Sequence, residues 1–418
     1  STLGWPEETE MYKRYYPTSA LVTGYDINFF WVARMVFSGL EYTGKLPFKD
    51  VLMHGIVRDS QGRKMSKSLG NGIDPLMVID KYGADALRFT LVTGNAPGND
   101  MRYYDEKVEA SRNFANKIWN ATRFILMNQK EELPAELSAD SLTAADRWIL
   151  SKVNTLAQKV TESLEKYDLG IAADELEHFF WEEFCDWYIE MVKARLYKEP
   201  CEDRTAAMWT LKTVLERALK LLHPYMPFIT EELYSYIRPQ EETIMYAAWP
   251  KYRADWSFPG ETEEVEAMKE AIRGIRNIRT QMNVPPKQKS QVIFVSEDEV
   301  TRRIFEKGAE FLAPLAFASE VKVQNDTAGI DDTAVSIPLH RATAFIPLEQ
   351  LVDLEKEKAR LKKEWDRLNG EIERTAKKLE NQGFVAKAPQ AVVEEERKKK
   401  AKYEAMRQQV EEQLHRLG

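Results

Sequence analysis

The chain has 418 residues, room for about three domains, and its 44% apolar and 30% charged content suits folded cores and argues against a disordered chain. Two cysteines, Cys185 and Cys201, cannot build a disulfide framework or a four-cysteine zinc site, and no metal site is expected. The net charge of −8 argues against a uniformly basic nucleic-acid binder.

The longest nearly apolar run, Phe29 to Phe37, is broken by Arg34 and is too short to span a bilayer. No basic and apolar leader opens the sequence. A cytoplasmic protein without a membrane partner is expected. Charge is unevenly spread: residues 351–418 hold 17 basic against 14 acidic residues, and the rest of the chain 42 against 53. A basic-leaning tail on an acidic body points to a separate task for the tail. The chain starts at Ser1 without methionine and reads as a fragment of something longer.

Residues 1–100 read as α/β. Ala20–Thr23 is a short β-rich run ended by Gly24, and a helix is expected from Ile27 with Phe30, Val32, Met35, Val36 and Leu40 on its apolar face. Val51–Val57 is the second strand, so the unit is one parallel crossover. A polar turn, Asp59-Ser60-Gln61-Gly62, closes it. Asp74-Pro75 then starts a helix, the aspartate as its cap.

From Asp105 to about Ile237 the pattern is helical, with helices expected at 105–129, 144–166, 171–198, 203–222 and 227–237. Pro239–Gly260 is an irregular linker. A small α/β domain follows at 261–349, with a helix to about Met282, a strand at 291–295, a helix at 298–312 and strands near 320–324, 333–338 and 342–347. The tail, 350–418, reads as an antiparallel coiled-coil hairpin. Leu351, Leu354, Lys358, Leu361, Trp365, Leu368, Ile372, Thr375 and Leu379 form one seam, and Tyr403, Met406, Val410, Leu414 and Leu417 the other. Asn381-Gln382-Gly383 and Pro389 make the break between them.

The sharpest chemical signal is Gly62-Arg63-Lys64-Met65-Ser66-Lys67-Ser68-Leu69-Gly70-Asn71. Two lysines three apart, with two serines between glycines, make a flexible loop offering point charges and hydroxyls to phosphates. The loop follows a strand, where ligands bind in open α/β sheets. Asp26, after Gly24 at a strand end, is placed to accept from a ribose hydroxyl, or else simply caps a helix. On the helix after Asp105, Lys117, Asn120 and Phe124 stand at i, i+3 and i+7 on one face. An amine, an amide and a ring are the tools for reading unstacked bases, unless Lys117 and Asn120 are merely solvated. Phe114, Ile118 and Ala121 lie on another face, for burial.

The Lys-Met-Ser-Lys-Ser loop resembles the second signature of class I aminoacyl-tRNA synthetases. Gly24-Tyr25-Asp26-Ile27-Asn28-Phe29-Phe30-Trp31 looks like the adenylate-binding segment of their valyl branch. His223-Pro224-Tyr225-Met226-Pro227-Phe228-Ile229-Thr230-Glu231-Glu232-Leu233 resembles the anticodon-binding bundle, and Phe384-Val385-Ala386-Lys387-Ala388-Pro389 the arm. The resemblance implies that residues 1–100 are the C-terminal half of a Rossmann-type catalytic fold, 101–260 the all-α anticodon-binding bundle and linker, and 350–418 a tRNA-binding arm. It implies valine activation with ATP and Mg2+ as substrate, transfer to tRNA, and no prosthetic group.

By the same resemblance, Lys64 and Lys67 neutralise charge developing on pyrophosphate, with Ser66 and Ser68 as loop hydroxyls. Gly24, Asp26, His54, Gly55 and Met65 belong to the ATP and adenylate site, and Trp31 to the valine pocket; without the resemblance, His54 reads as a structural histidine and Trp31 equally as a core tryptophan. Lys117, Asn120, Arg123 and Phe124 meet the anticodon, and Arg397-Lys398-Lys399-Lys400 is either an ordinary solvated face or a phosphate contact. The family's first signature, a His-x-Gly-His loop, is absent: His54, His178, His223, His340 and His415 are all far apart. The inserted editing domain is missing too. The expectation is therefore a fragment inactive alone, a monomer that needs an N-terminal half. The rival readings are a non-catalytic tRNA-binding module, the isoleucyl branch and, for residues 351–418 alone, a structural coiled-coil adaptor.

Overall fold

A computed structural model describes residues 2–94, 96–130, 132–351, 354–380 and 390–416; the side chains of 354–360, 391–392, 409 and 412–416 lie outside the described set. The chain divides into two compact units, Ser1–Thr262 and Glu263–Gly418, each described by itself.

In the first unit, α1 (Glu10–Tyr15) precedes β1 (Thr18–Gly24) and β2 (Phe48–His54), which pair in parallel with Gly24 opposite His54. The connecting segment winds through a tight turn, Tyr25–Ile27, and a wide π-helical turn, Asn28–Val32, before α2 (Ala33–Thr43). Gly44, at φ 66°, ends α2 in the left-handed conformation that suits a residue without Cβ. The crossover is as expected, but the apolar face differs. Val32 is buried, whereas Phe30, Met35 and Leu40 are exposed, because the two-stranded sheet beside them is too narrow to cover a helix face.

The second expected strand also breaks. After β2 ends at His54, β3 (Val57–Arg58) pairs in parallel with β4 (Met101–Arg102). The interruption has a local cause. The Ile56 amide donates to the Asp100 carboxylate (2.7 Å), and a Cβ at Gly55 would lie 1.8 Å from the Asn99 carbonyl oxygen. Only glycine lets the two backbones pass. Between β3 and β4 lie α3 (Pro75–Tyr82), capped by the Asp74 side chain as expected, and α4 (Ala84–Val92). Val78, Tyr82, Ala86, Leu87, Tyr103 and Val108 make their shared core.

The helical region holds α5 (Asp105–Asn128), α6 (Ala144–Glu165), α7 (Leu169–His178), α8 (Ile189–Leu196), α9 (Glu202–Leu222) and α10 (Pro227–Ile237). The single helix expected at 171–198 is α7 and α8 joined without a break by a π-helical stretch, Phe179–Tyr188. That stretch is aromatic, with Phe180 and Phe184 edge to face and Phe184 stacked on Tyr188. The bundle core also buries charge. Asp146 takes two bonds from Arg195 (2.8 and 2.9 Å) and one from the Tyr188 hydroxyl. The linker expected at 239–260 is irregular over 239–258, its last two residues opening the next helix instead, and it is pinned where the Trp256 ring lies under Arg253 (4.5 Å) and Arg217 (5.0 Å).

The second unit contains the end of α11 (Pro259–Gln281), then β5 (Ser290–Val295), α12 (Glu299–Leu315), β6 (Ala318–Gln324), β7 (Val335–Leu339), β8 (Ala342–Ile346) and α13 (Leu348–Leu351). The sheet order is β6-β5-β8-β7, with β5 and β6 parallel and the other pairs antiparallel. Phe294 stacks on Phe305 at 4.2 Å, joining sheet to helix. The last helices, α14 (Leu354–Glu380) and α15 (Gln390–Arg416), lie against each other. Leu361, Leu368 and Thr375 are buried seven residues apart. Trp365 donates to Glu411 (2.9 Å), Arg407 to Asn369 (3.1 Å), and Lys378 pairs with Glu396 (3.7 Å), so contacts run antiparallel. The expected break at 381–383 and Pro389, the segment 384–389, the side chains of Leu354, Lys358 and Leu414, and Leu417 lie outside the described residues.

Candidate functional site

Parallel pairing of β1 and β2 places their C-terminal ends side by side, the position where open α/β sheets take ligands. Gly24 and Gly55 keep those ends free of Cβ atoms. A Cβ at Gly24 would sit 2.9 Å from an Asp26 carboxylate oxygen, so glycine lets the aspartate fold back over the strand end. A cavity of about 770 Å3 opens here, lined by Gly24, Asp26, His54, Gly55 and Lys64, with Tyr167 and Leu169 from the helical region. Lys64 reaches across to Asp26, Nζ to Oδ2 3.2 Å. His54 Nδ1 lies 2.8 Å from the Gly55 carbonyl, which fixes the ring.

Five of the sequence-predicted residues therefore meet at one cavity. Others do not line it. Lys67 and Ser68 are exposed on the loop, Ser66 Oγ lies 3.1 Å from Ser68 Oγ, and Met65 packs against the core around Val78 and Tyr82. Trp31 is 56% exposed in the π-helical turn, with the Arg34 guanidinium 5.8 Å from its ring. Asp26 is no helix cap: Gly24 holds that position and makes no side-chain bond.

Two carboxylates with several bonds each were not singled out from the sequence. Asp59 is buried under the lysine loop and accepts from the Gln61 amide (3.1 Å), the Arg63 amide and guanidinium (both 2.7 Å) and the Asn71 side chain (2.9 Å). The bonds from Asn71 first and Arg63 second hold its carboxyl down to about 2. Asn71 in turn donates to the Lys64 carbonyl (3.3 Å) and accepts from the Ser66 amide (2.9 Å). The second group is Asp100, which takes the Ile56 amide, Arg58 and the Tyr25 hydroxyl (3.2 Å). Its carboxyl lies below the ordinary value through the Ile56 amide first and Arg58 second. The turn at 59–62 was visible as a turn. Its partner twelve residues on was not.

On α5, Phe114, Ile118 and Ala121 are buried as expected. Asn120 and Arg123 are exposed. Lys117 is engaged: its amine pairs with Asp186 and lies 4.3 Å from the Trp181 ring centroid. Phe124 is half-buried beneath Lys193 (5.9 Å). Arg123 instead borders a groove of about 340 Å3 with Trp119, Leu126, Leu233 and Tyr236. On α15, Lys399 pairs with Glu395 (3.0 Å) and Lys400 with Glu404 (3.8 Å), the pattern of a solvated helix face.

Comparison with known proteins places the chain in context. The family model "tRNA synthetases class I (I, L, M and V)" matches residues 1–104, "Anticodon-binding domain of tRNA ligase" 146–294, and "Valyl tRNA synthetase tRNA binding arm" 353–418. The chain is 52% identical over all its residues to a valine–tRNA ligase of Clostridium perfringens, covering 47% of that protein, and 48% identical to one of Geobacillus stearothermophilus, covering 48%. It thus spans about half the length of the curated relatives it matches. Among solved structures, a ternary complex of Agrobacterium radiobacter K84 LeuRS, tRNA and LeuAMS is similar over 70% of this chain and 32% of that one, at 19% identity and TM-score 0.49.

Proposed function

This chain belongs to the valine–tRNA ligase family of class I tRNA synthetases, and from that premise we propose that it supplies part of the site that activates valine with Mg-ATP, together with surfaces for tRNA(Val). One observation carries the reading. Lys64 of the signature loop and Asp26 at the strand end face each other at 3.2 Å across one cavity with Gly24, His54 and Gly55.

Asp26 accepts from the ATP ribose, and its engagement there frees Lys64 for the phosphates. As the valine carboxylate attacks the α-phosphorus, charge grows on the departing pyrophosphate. Lys64 and Lys67 neutralise it, with Ser66 and Ser68 as hydroxyl partners. Met65 anchors the loop to the core beneath it. Trp31 walls the valine pocket once the rest of the fold covers it. Asn120, Arg123 and Phe124 on α5 meet the anticodon, with Lys117 released from Asp186 on binding. The helices α14 and α15 form a coiled-coil hairpin that lies along the tRNA backbone. The protein works as a monomer in the cytoplasm, and residues 1–100, 101–260, 261–349 and 350–418 are its working divisions.

The test is valine-dependent ATP–pyrophosphate exchange. The longer protein carrying this chain is expected to exchange with valine, and the 418-residue chain alone is expected to show none. Exchange driven by isoleucine and not by valine would move the reading to the isoleucyl branch. Exchange by neither, with tRNA still bound, would make the chain a tRNA-binding module.

A further inference from the structure

Among the described residues, the lysine loop packs on the core only through Met65, and its tip is exposed. Lys64 and Asn71 bracket it, Gly70 at its far end has φ 60°, and Lys67, Ser68 and Leu69 are exposed. An exposed glycine-containing segment of this kind samples many conformations, and each misplaced lysine costs transition-state stabilisation. Besides Met65, two polar side chains tie it to the fold. Asp59 closes the turn in front of the loop through Gln61 and Arg63, and reaches twelve residues on to Asn71. The Asn71 amide is used at both ends: its NH2 donates to Asp59 and to the Lys64 carbonyl, and its oxygen accepts from Ser66. The backbone carrying Lys64 and Ser66 is thereby tied to a buried carboxylate.

We infer that Asp59 and Asn71 are positioning residues for the lysine loop, clamping its entry and exit so that Lys64 and Ser66 are held beside the cavity. Neither side chain lines that cavity. They act through the loop. The activity readout rests on the proposed function; the conformational readout does not.

Replacing Asn71→Asp sets one carboxylate against another at a 2.9 Å contact, and the exchanged pair, Asp59→Asn with Asn71→Asp, restores one donor facing one acceptor. Two measurements decide the matter. In the chain itself, trypsin cleavage after Arg63, Lys64 and Lys67 is expected to quicken about tenfold in Asn71→Asp and to slow again in the exchanged pair. In the longer protein, Asn71→Asp is expected to lower kcat for valine-dependent exchange by about tenfold or more, with KM for ATP and valine nearly unchanged, and the exchanged pair to recover part of it. Should Asn71→Asp fold poorly by circular dichroism, Asn71→Ser, which drops the contact without adding charge, takes its place in both arms. Unchanged loop cleavage in the folded variant overturns the inference, whatever the activity. So does a loss confined to melting temperature or KM, or an exchanged pair no better than the single variant. If the unaltered longer protein shows no exchange, the functional reading falls, and the cleavage arm still decides the clamp.

Discussion

The carboxylate of Asp85, on α4, accepts the backbone amide of Ile229 at 2.7 Å, and that of Phe228 at 3.3 Å, at the first turn of α10. A helix start leaves its first amides without intrahelical partners, and an acid aimed at them satisfies the bonds and the dipole together. Here the capping acid comes from another helix, so the bond joins the α/β part of the first unit to its bundle. His223, in the same motif, lies 2.7 Å from Oγ1 of Thr230, the residue after Ile229 along α10.

Asp85→Ala is expected to destabilise the chain by about 1–3 kcal/mol, since it leaves two partly buried amides without their acceptor. Urea unfolding measures it. Burial pushes the Asp85 carboxyl above its ordinary value in spite of the two amides. An acid with a raised folded value contributes stability below its unfolded value, near 4, and loses it as pH rises through the folded one. The advantage of the native protein over Asp85→Asn should therefore shrink as pH rises above about 4. An advantage that grows over that range would contradict the assigned cause.

Breaking the buried pair in the bundle should cost more. Arg195 is largely shielded and Asp146 fully so, and Asp203 and Thr143 complete the guanidinium's bonds. Asp146→Ala leaves Arg195 with Asp203 as its remaining acid and strands the Tyr188 hydroxyl, an expected loss toward the lower end of about 3–5 kcal/mol. Replacing the pair by apolar residues of similar size should cost less than the single change. Calorimetric melting of the three proteins compares them directly.

In the longer protein, Lys67→Ala should slow valine activation far more than it weakens valine binding, by about 2–4 kcal/mol of transition-state stabilisation. Pre-steady-state adenylate formation, alongside equilibrium valine binding, separates the two. An unchanged rate removes Lys67 from the chemistry.

Asn120→Ala should erode discrimination between cognate and anticodon-swapped tRNA, through loss of cognate affinity. Phe124→Ala should weaken cognate binding by about 1–3 kcal/mol if the ring stacks on a base, and a melting curve must accompany it because the ring is half-buried. Equal losses for both tRNAs would mean that this face supports RNA without reading it.

Removing residues 352–418 should weaken tRNA binding, and the difference should fade as salt rises, because phosphate contacts release counterions. Nitrocellulose filter binding at two salt concentrations is sufficient. Equal affinity at low salt would leave α14 and α15 without an RNA role.

Local pattern was enough for much of this protein. The helix at 227–237, the cap at Asp74, the crossover between β1 and β2 and the buried stripe Phe114, Ile118, Ala121 follow from periodicity, proline placement and turn chemistry, which act over a few residues. The lysine loop was legible for the same reason, as one contiguous string. Tertiary structure decided whatever joins distant residues: the break of the second strand where Asn99 crosses Gly55, the meeting of Lys64 with Asp26, the tie of Asp59 to Asn71, and the loss of Lys117 to Asp186. A side chain's partner across space is chosen by packing and by the satisfaction of buried polar groups, and neither has a period along the chain.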